Sequence, residues 1–411
     1  MLRVAACLAL VLALMAPPAH AAHTKSAKPA AKPTAKSAAP AKANWKSAPA
    51  KKKTAPDTPP LEISWICVEA STGMVLGERD ADAPRPPASM IKMMQFLMVT
   101  DGLKKGLWTL DTPITVTAHS ENMGGTQVYL KAGETFKLGH LMEAEAVASA
   151  NDAAMAVAEG LWGSEEKFKV ARAEFAKQLG LTHSDFQSVH GLPPGPGQKP
   201  DATTARDLSI VARHCAADPQ IMKWVGTKEV RFRPDQAPKP NTNKLLWRME
   251  GCDGLKTGFT NAAGFCITAT AQRNGIRLIT VLMGCEGKYD RFNEAQKILE
   301  DSFPQVQRVR VIARGEALKT STPVLNCVTQ ETLLTASEDL WVVVKAKDRS
   351  SLHVAPEFPA PLRAPLTSGT VVGEITAELG GKKIGSTPLA INQDLPAAGW
   401  RWKLVNAVTA H

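Results

Sequence analysis

Three short strings in this chain combine a nucleophile, amines and an anion-binding pair: Ser89-Met90-Ile91-Lys92, Ser149-Ala150-Asn151 and Lys256-Thr257-Gly258. A serine three residues before a lysine shares its helical face, so the amine can reach the hydroxyl. In apolar surroundings an ammonium is disfavoured, which leaves Lys92 neutral enough to act as base toward Ser89. Ser149 offers a hydroxyl to relay a proton, and the Asn151 amide can hold both an amine and a substrate carbonyl. Lys256 and Thr257 offer a cation and a hydroxyl to a substrate carboxylate, while Gly258 lets a ligand backbone lie along a strand edge. The Phe259 N–H would complete an oxyanion hole with that of Ser89. The combined chemistry is acyl transfer to a serine.

Each string alone carries little weight. Ser164-Glu165-Glu166-Lys167 and Ser120-Glu121-Asn122 fit the first two patterns as well, and a capping Ser, a helix-to-helix turn and a hairpin with a surface Lys are the plain alternatives. The complementary trio in this order is what distinguishes the set.

The elements that must position these groups are legible. Pro86 and Pro87 suit a helix start, and Met90 to Val99 reads as a buried helix with Ser89 in its first turn. The Ala-rich run from Met142 to Met155 has strong helix propensity, with Ser149 and Asn151 where two helical runs meet. The stretch through Lys256-Thr257-Gly258, then Phe265 to Ala271 and Ile276 to Gly284, reads as an antiparallel meander. After Pro304, Val309–Ala313, Leu340–Val344 and Val371–Thr376 read as short strands of a small β domain with no catalytic constellation of its own.

Residues 60 to 396 resemble the low-molecular-mass penicillin-binding proteins, the serine-type D-alanyl-D-alanine carboxypeptidases of peptidase family S11. Beyond the trio, the resemblance rests on Ser188-Val189-His190-Gly191-Leu192, Thr204-Ala205-Arg206-Asp207, Asn243-Lys244-Leu245-Leu246-Trp247 and Asp253-Gly254-Leu255. It implies an α+β, penicillin-recognising domain with a five-stranded antiparallel sheet and a helical lobe, followed by a small all-β domain. It further implies an acyl-enzyme on Ser89 with neither cofactor nor metal, peptidoglycan stem peptides as substrates and β-lactams as covalent inhibitors. A muropeptide DD-endopeptidase is the near alternative. A β-lactamase is more remote, because there is no Glu-x-x-Leu-Asn string, and a catalytically silent wall-binding protein is the alternative of another class.

Three departures stand out: Phe259 where several relatives carry His, a Pro-rich loop from Pro193 to Pro200, and Ala150 where Gly is often found. Arg206 has two readings, a ligand for the substrate carboxylate or a salt bridge with Asp207 or another acid. His190 reads as structural near the cleft.

Met1 to Ala21 reads as a secretory signal, and residues 22–58 as an unfolded Lys/Ala/Pro-rich tether. The nine lysines of that tether, with Arg3, account for the whole formal charge of +10. The folded remainder lacks the basic face of a nucleic-acid binder, so no nucleic-acid partner is expected. The expected order continues with a catalytic domain over 59–305, a β domain over 306–396 and a short tail over 397–411. In that tail Trp400, Leu404 and Val408 share helical spacing beside Arg401, Trp402 and Lys403, which suggests weak contact with a membrane surface. The expected location is the periplasm, free or peripheral on the outer face of the cytoplasmic membrane. Six cysteines follow the signal without CxxC or His/Cys ligand spacing, which argues against zinc. Buried free thiols are the default reading, with Cys252 and Cys266 as a candidate cross-strand pair.

Overall fold

The computed structural model describes residues 62–402 of the chain. The signal reading, the tether and the tail from Lys403 onward lie outside the described residues. The chain opens with a hairpin, β1 (Ser64–Glu69) and β2 (Val75–Arg79), closed by the Glu69 carboxylate, which accepts from the backbone N–H groups of Ser71 and Thr72 at 3.0 and 2.8 Å. It then leaves the sheet to build the helical lobe. In chain order the lobe comprises α1 (Lys92–Lys104), β3 (Pro113–Thr115), α2 (Ala118–Glu121), β4 (Thr135–Lys137), α3 (Leu138–Ala148), α4 (Asn151–Trp162) and α5 (Glu165–Gln178). α6 (Ala205–Ala216), α7 (Pro219–Gly226), β5 (Glu229–Val230), β6 (Lys239–Pro240) and the one-turn α8 (Leu245–Arg248) follow.

The expected meander then forms as β7 (Cys252–Thr260), β8 (Gly264–Arg273) and β9 (Ile276–Cys285), and α9 (Asp290–Ser302) closes the domain. The sheet order is β2-β1-β9-β8-β7, with every pairing antiparallel. β7, with Lys256-Thr257-Gly258, is thus an edge strand whose outer side is open to a ligand.

The strands are near-continuously apolar because both faces of the sheet are covered. Alternate residues serve different cores. Ile279, Val281 and Met283 join Met90, Met94 and Val211 on the lobe side, while Leu278 and Leu282 pack with Phe292, Ala295 and Leu299 of α9. α1 runs through the centre of the lobe and is buried almost all round, from Lys92 to Thr100. Its apolar residues therefore show no one-sided stripe. Truncating Phe96 here would cost about 3–5 kcal/mol through the cavity left behind.

A 3-10 turn at Phe303–Gln305 leads into the C-terminal domain. It holds β10 (Val306–Ile312), β11 (Thr322–Leu325), β12 (Glu331–Thr332), β13 (Leu334–Ala336), β14 (Leu340–Lys345), β15 (Leu352–Glu357), β16 (Leu362–Arg363), β17 (Val371–Leu379) and β18 (Lys382–Ile391). A four-stranded sheet β13-β18-β17-β15 and smaller sheets enclose a core that includes Val342, Val344, Ile375, Leu389 and Ile391. Ala398 is pinned to this domain, its N–H donating to the Asn326 carbonyl at 2.7 Å.

The six described cysteines are free thiols. Register explains why the Cys252–Cys266 pairing fails: Cys252 stands opposite Ala271, whereas Cys266 stands opposite Gly258, well along the same two strands. Burial pushes the Cys266 thiol up to about 11, so it is an inert packing group at neutral pH.

Candidate active site

Ser89 sits in a 3-10 turn, Ala88–Ile91, that runs directly into α1. Ala88 is held in the left-handed region at φ 46°, and two glycines make the turn possible. A side chain at Gly191 would lie 2.1 Å from the Ala88 carbonyl oxygen, and one at Gly258 would lie 2.9 Å from that of Pro87 and 3.2 Å from the Ser89 nitrogen. The edge of β7 and the His190-Gly191 segment therefore close on the nucleophile from two sides.

Lys92 is completely buried, and its amine lies 3.0 Å from Ser89 Oγ and 2.6 Å from Asn151 Oδ1. The carbonyls of Ser149 and His190 are within 3.2 and 3.4 Å of the same amine. Burial lowers its proton affinity to about 8, only partly offset by the nearby carboxylates of Glu145 and Asp152. The Ser89–Lys92 spacing thus delivers the expected pair, a hydroxyl beside an amine that can be neutral near physiological pH.

Ser149 ends α3 in the left-handed conformation, φ 62°, and Asn151 begins α4 two residues later. That reversal aims both side chains at the cleft. Asn151 is fixed by its own Nδ2, which donates to the Gly124 carbonyl at 2.8 Å, and by its backbone N–H on Thr126 at 2.7 Å. Ser149 Oγ accepts from Lys256 Nζ at 2.7 Å and lies 3.5 Å from Lys92 Nζ, so it stands between the two amines. Lys256 is buried, and burial together with the Lys92 charge holds its proton affinity well below the ordinary lysine range. Thr257 is buried beside it, whereas Phe259 is 45% exposed and stacks on Phe265 with ring centroids 4.2 Å apart.

Seven of the sequence-derived residues are therefore brought together: Ser89, Lys92, Ser149, Asn151, Lys256, Thr257 and Gly258. Phe259 follows at the rim. Arg206 is not part of this network. Its guanidinium binds Asp82 at 2.7 Å and Glu78 at 2.9 Å, and these pairs raise its proton affinity further. The salt-bridge reading is the one realised, although with these acids rather than Asp207, whose carboxylate accepts from His183 N–H and Ser184 Oγ.

Three contributors, Asp152, Arg291 and Glu145, were missed from the sequence, whereas His190 lies beside the cleft as its reading has it. The His190 carbonyl accepts from Ser89 Oγ at 3.4 Å, while its half-buried ring accepts from the Leu192 N–H through Nδ1 and stays neutral, pushed down to about 3 by desolvation and the Lys92 charge. Asp152 accepts from the backbone of Val128, Leu130 and Ala153, stapling the loop that holds Asn151. Arg291, on the buried side of α9, donates to the Gly258 carbonyl at 2.9 Å and stacks over Phe265 and Phe292, bracing the edge strand. Glu145 is wholly buried in α3. A cation on a buried helix face, as at Arg291, is a signal that sequence reading could have used. The Pro-rich loop from Pro193 lines, with His119, His190 and Asp201, a cavity of about 330 Å³ whose lining does not include Ser89 or Lys92. Among the described residues no three His, Cys, Asp or Glu side chains converge as a metal site would require.

A serine nucleophile beside a buried lysine, at the seam of a five-stranded antiparallel sheet and a helical lobe, defines a serine acyl-transfer enzyme with the penicillin-recognising fold. Residues 52–287 match the family model for D-alanyl-D-alanine carboxypeptidase, peptidase S11, and residues 307–397 match that for the penicillin-binding protein 5 C-terminal domain. The chain is 33% identical to D-alanyl-D-alanine carboxypeptidase DacC of Escherichia coli, over 82% of this chain and 85% of that one. Its fold is similar to that of a peptidoglycan synthesis regulatory factor (PBP3) from Streptococcus pneumoniae, at TM-score 0.72 and 26% identity over 81% of this chain and 98% of that one. Penicillin-binding protein D2 from Listeria monocytogenes, solved in an ampicillin-bound form, is similar at TM-score 0.53 and 28% identity over 58% of this chain and 96% of that one. The chain belongs to the D-alanyl-D-alanine carboxypeptidase family S11 and is a serine-type peptidase.

Proposed function

We propose that the enzyme removes the terminal D-alanine from peptidoglycan stem pentapeptides and is acylated by β-lactams on the same serine. The observation that carries this reading is the Lys92 amine, fully buried and 3.0 Å from Ser89 Oγ. Neutral Lys92 takes the Ser89 proton as Oγ attacks the carbonyl between the two D-alanines. The Ser89 and Phe259 backbone N–H groups hold the oxyanion. Ser149, between the two amines, passes the proton to the departing D-alanine nitrogen, and Asn151 positions Lys92 and the acyl chain. Lys256 and Thr257 bind the terminal carboxylate. An arriving anion raises the proton affinity of Lys256, so substrate binding and charging of this lysine reinforce one another. Water then attacks the acyl-enzyme, Lys92 takes its proton and returns it to Ser89 Oγ as the ester bond breaks, and the shortened peptide is released.

A β-lactam presents the same acyl unit and carboxylate, and its acyl group stays on Ser89. The apolar leader to Ala21 supports export and work in the periplasm. Among the described residues no helix is long and apolar enough to cross a membrane. A surface role for the tail rests on Trp400, which is 68% exposed, and Arg401 stacked on it.

The test is labelling of the mature protein with a fluorescent penicillin beside Ser89→Ala, with D-alanine release followed on a stem pentapeptide and on a cross-linked dimer. Labelling and release that both vanish in the variant, with the pentapeptide preferred, are expected. A strong preference for the dimer would make the enzyme an endopeptidase, and an unlabelled wild type would refute the acyl-enzyme.

A further inference from the structure

One buried acid in the active-site region has no part in the mechanism above. Glu145 occupies the last turn of α3, four residues before Ser149, and is wholly shielded from solvent. Neither of its carboxylate oxygens receives a hydrogen bond from any described group. Buried carboxylates are normally tied to donors, as Asp152 is by three backbone N–H groups, and an untied one is costly. A helix C-terminus makes the position worse for an anion, because the last carbonyls carry partial negative charge. An apolar residue would fill the site at no such cost.

What compensates is the charge of the two lysines. Lys92 of α1 and Lys256 of β7 are the groups that pull the proton affinity of Glu145 back down against burial, and Glu145 in turn pulls both of theirs up. The other charged groups facing this cluster are fixed. Asp152 of α4 is committed to the backbone, Arg291 of α9 to the Gly258 carbonyl, and the His190 ring is neutral. On elements packed around α3, Lys137 of β4, Lys223 of α7 and Glu229 of β5 are exposed, and Lys239 of β6 lies over the Tyr129 ring. Glu143 and His140 of α3 itself are only half-buried.

We propose that Glu145 is a positioning residue, the buried counter-charge that lets Lys92 accept the Ser89 proton while Lys256 holds the substrate carboxylate. When Ser89 attacks, its proton moves to Lys92 and a second ammonium forms beside Lys256 in a site closed to water. An ionised Glu145 offsets that charge until the proton leaves through Ser149 to the departing nitrogen. Glu145 itself neither makes nor breaks a bond. The partner acid also sets the pH at which Lys92 becomes neutral. Burial raises the proton affinity of the carboxyl and lowers that of Lys92, and the charge of each offsets part of that effect on the other.

This inference rests on the acyl-enzyme reading, and the experiment separates the two. Second-order acylation by benzylpenicillin is measured from pH 5 to pH 10 for wild type, Glu145→Gln and Glu145→Asp, with thermal unfolding alongside. A wild type that is not acylated on Ser89 overturns the functional reading itself. With acylation present, Glu145→Gln is expected to move the acid limb about one unit lower, since Lys92 loses an anion that favours its charged form. Its plateau rate should fall roughly tenfold, and Glu145→Asp should restore the limb toward the wild-type position. A Gln variant with an unchanged midpoint, whether or not its rate or melting temperature falls, would mean that Glu145 is only structural. Should the Gln variant not fold, infrared titration of the wild type decides. A carboxyl ionised throughout the plateau of the pH profile supports the proposal, and a protonated carboxyl band that persists there overturns it.

Discussion

The cleft and the C-terminal β domain are built by opposite rules. Around the cleft the chain buries Lys92, Lys256, Glu145, Asp152 and Arg291. From Val306 onward, the buried polar side chains among the described residues are the threonines Thr322, Thr332, Thr376 and Thr387, with no charged group. Charges in the β domain stay at its surface, where Lys383 pairs with Glu374 and Arg308 lies over the Trp341 ring at 4.2 Å. Burying a charge costs several kcal/mol even after relaxation, so a region that buries several is optimised for something other than stability. The β domain holds its shape at low electrostatic cost. The cleft accepts that cost for an amine with low proton affinity and a set of fixed dipoles.

This contrast breaks most sharply at the nucleophile. Ser89→Ala should abolish covalent penicillin labelling and lower D-alanine release by roughly 10⁴-fold or more, with melting nearly unchanged. Residual labelling at another serine would remove Ser89 from its role. Lys92→Met should slow acylation by roughly 10²–10⁴-fold. It should also lower stability, because the Asn151 Oδ1 and the buried Glu145 carboxylate both lose the amine that compensates them.

The pH dependence of stability sharpens the point. Lys92 has a folded proton affinity near 8 against an ordinary 10.5, so between these values the unfolded chain binds more protons than the native one. The contribution of this site to stability should therefore rise with pH across that window. Lys92→Met should flatten this slope in chemical-denaturation curves, and an unchanged slope would mean that Lys92 is not depressed. Acylation should likewise rise with pH through about 8, as Lys92 becomes the neutral base.

In the β domain the expectation reverses. Leu389→Ala, which empties part of a fully buried position, should cost about 2–5 kcal/mol in calorimetry. Penicillin acylation below the transition should stay within about twofold of wild type. A large loss of acylation would mean that the two regions are coupled. The smallest effect belongs to Arg206→Ala. Its pairs with Asp82 and Glu78 are partly exposed and worth about 1 kcal/mol or less, and KM should not move. A large rise in KM would bring back the carboxylate-binding role that this geometry argues against.

Much of the site was legible because its chemistry needs particular residue types at particular spacings. Ser89 and Lys92 share a helical face whatever surrounds them, and Lys256-Thr257-Gly258 lies on a strand that its neighbours also specify. Arg206 was ambiguous because its partners, Glu78 and Asp82, come from a segment more than a hundred residues earlier in the chain. Glu145 left no mark, since the turns around it are buried on nearly all sides and no polar face set it apart. Cys252 and Cys266 were assigned to neighbouring strands correctly, but their register could not be read, and it separates them.

By itself the sequence determined the local elements and the inventory of reactive groups, because helix starts, alternation and i, i+3 spacing depend on residues close in the chain. Only the tertiary structure decided that β1 joins β9, which leaves β7 at the edge beside Ser89, because that pairing spans more than two hundred residues. It also decided the protonation of Lys92, Lys256 and Glu145. Proton affinity follows from how much water and which charges the complete fold leaves around a group, and no stretch of neighbouring residues fixes that.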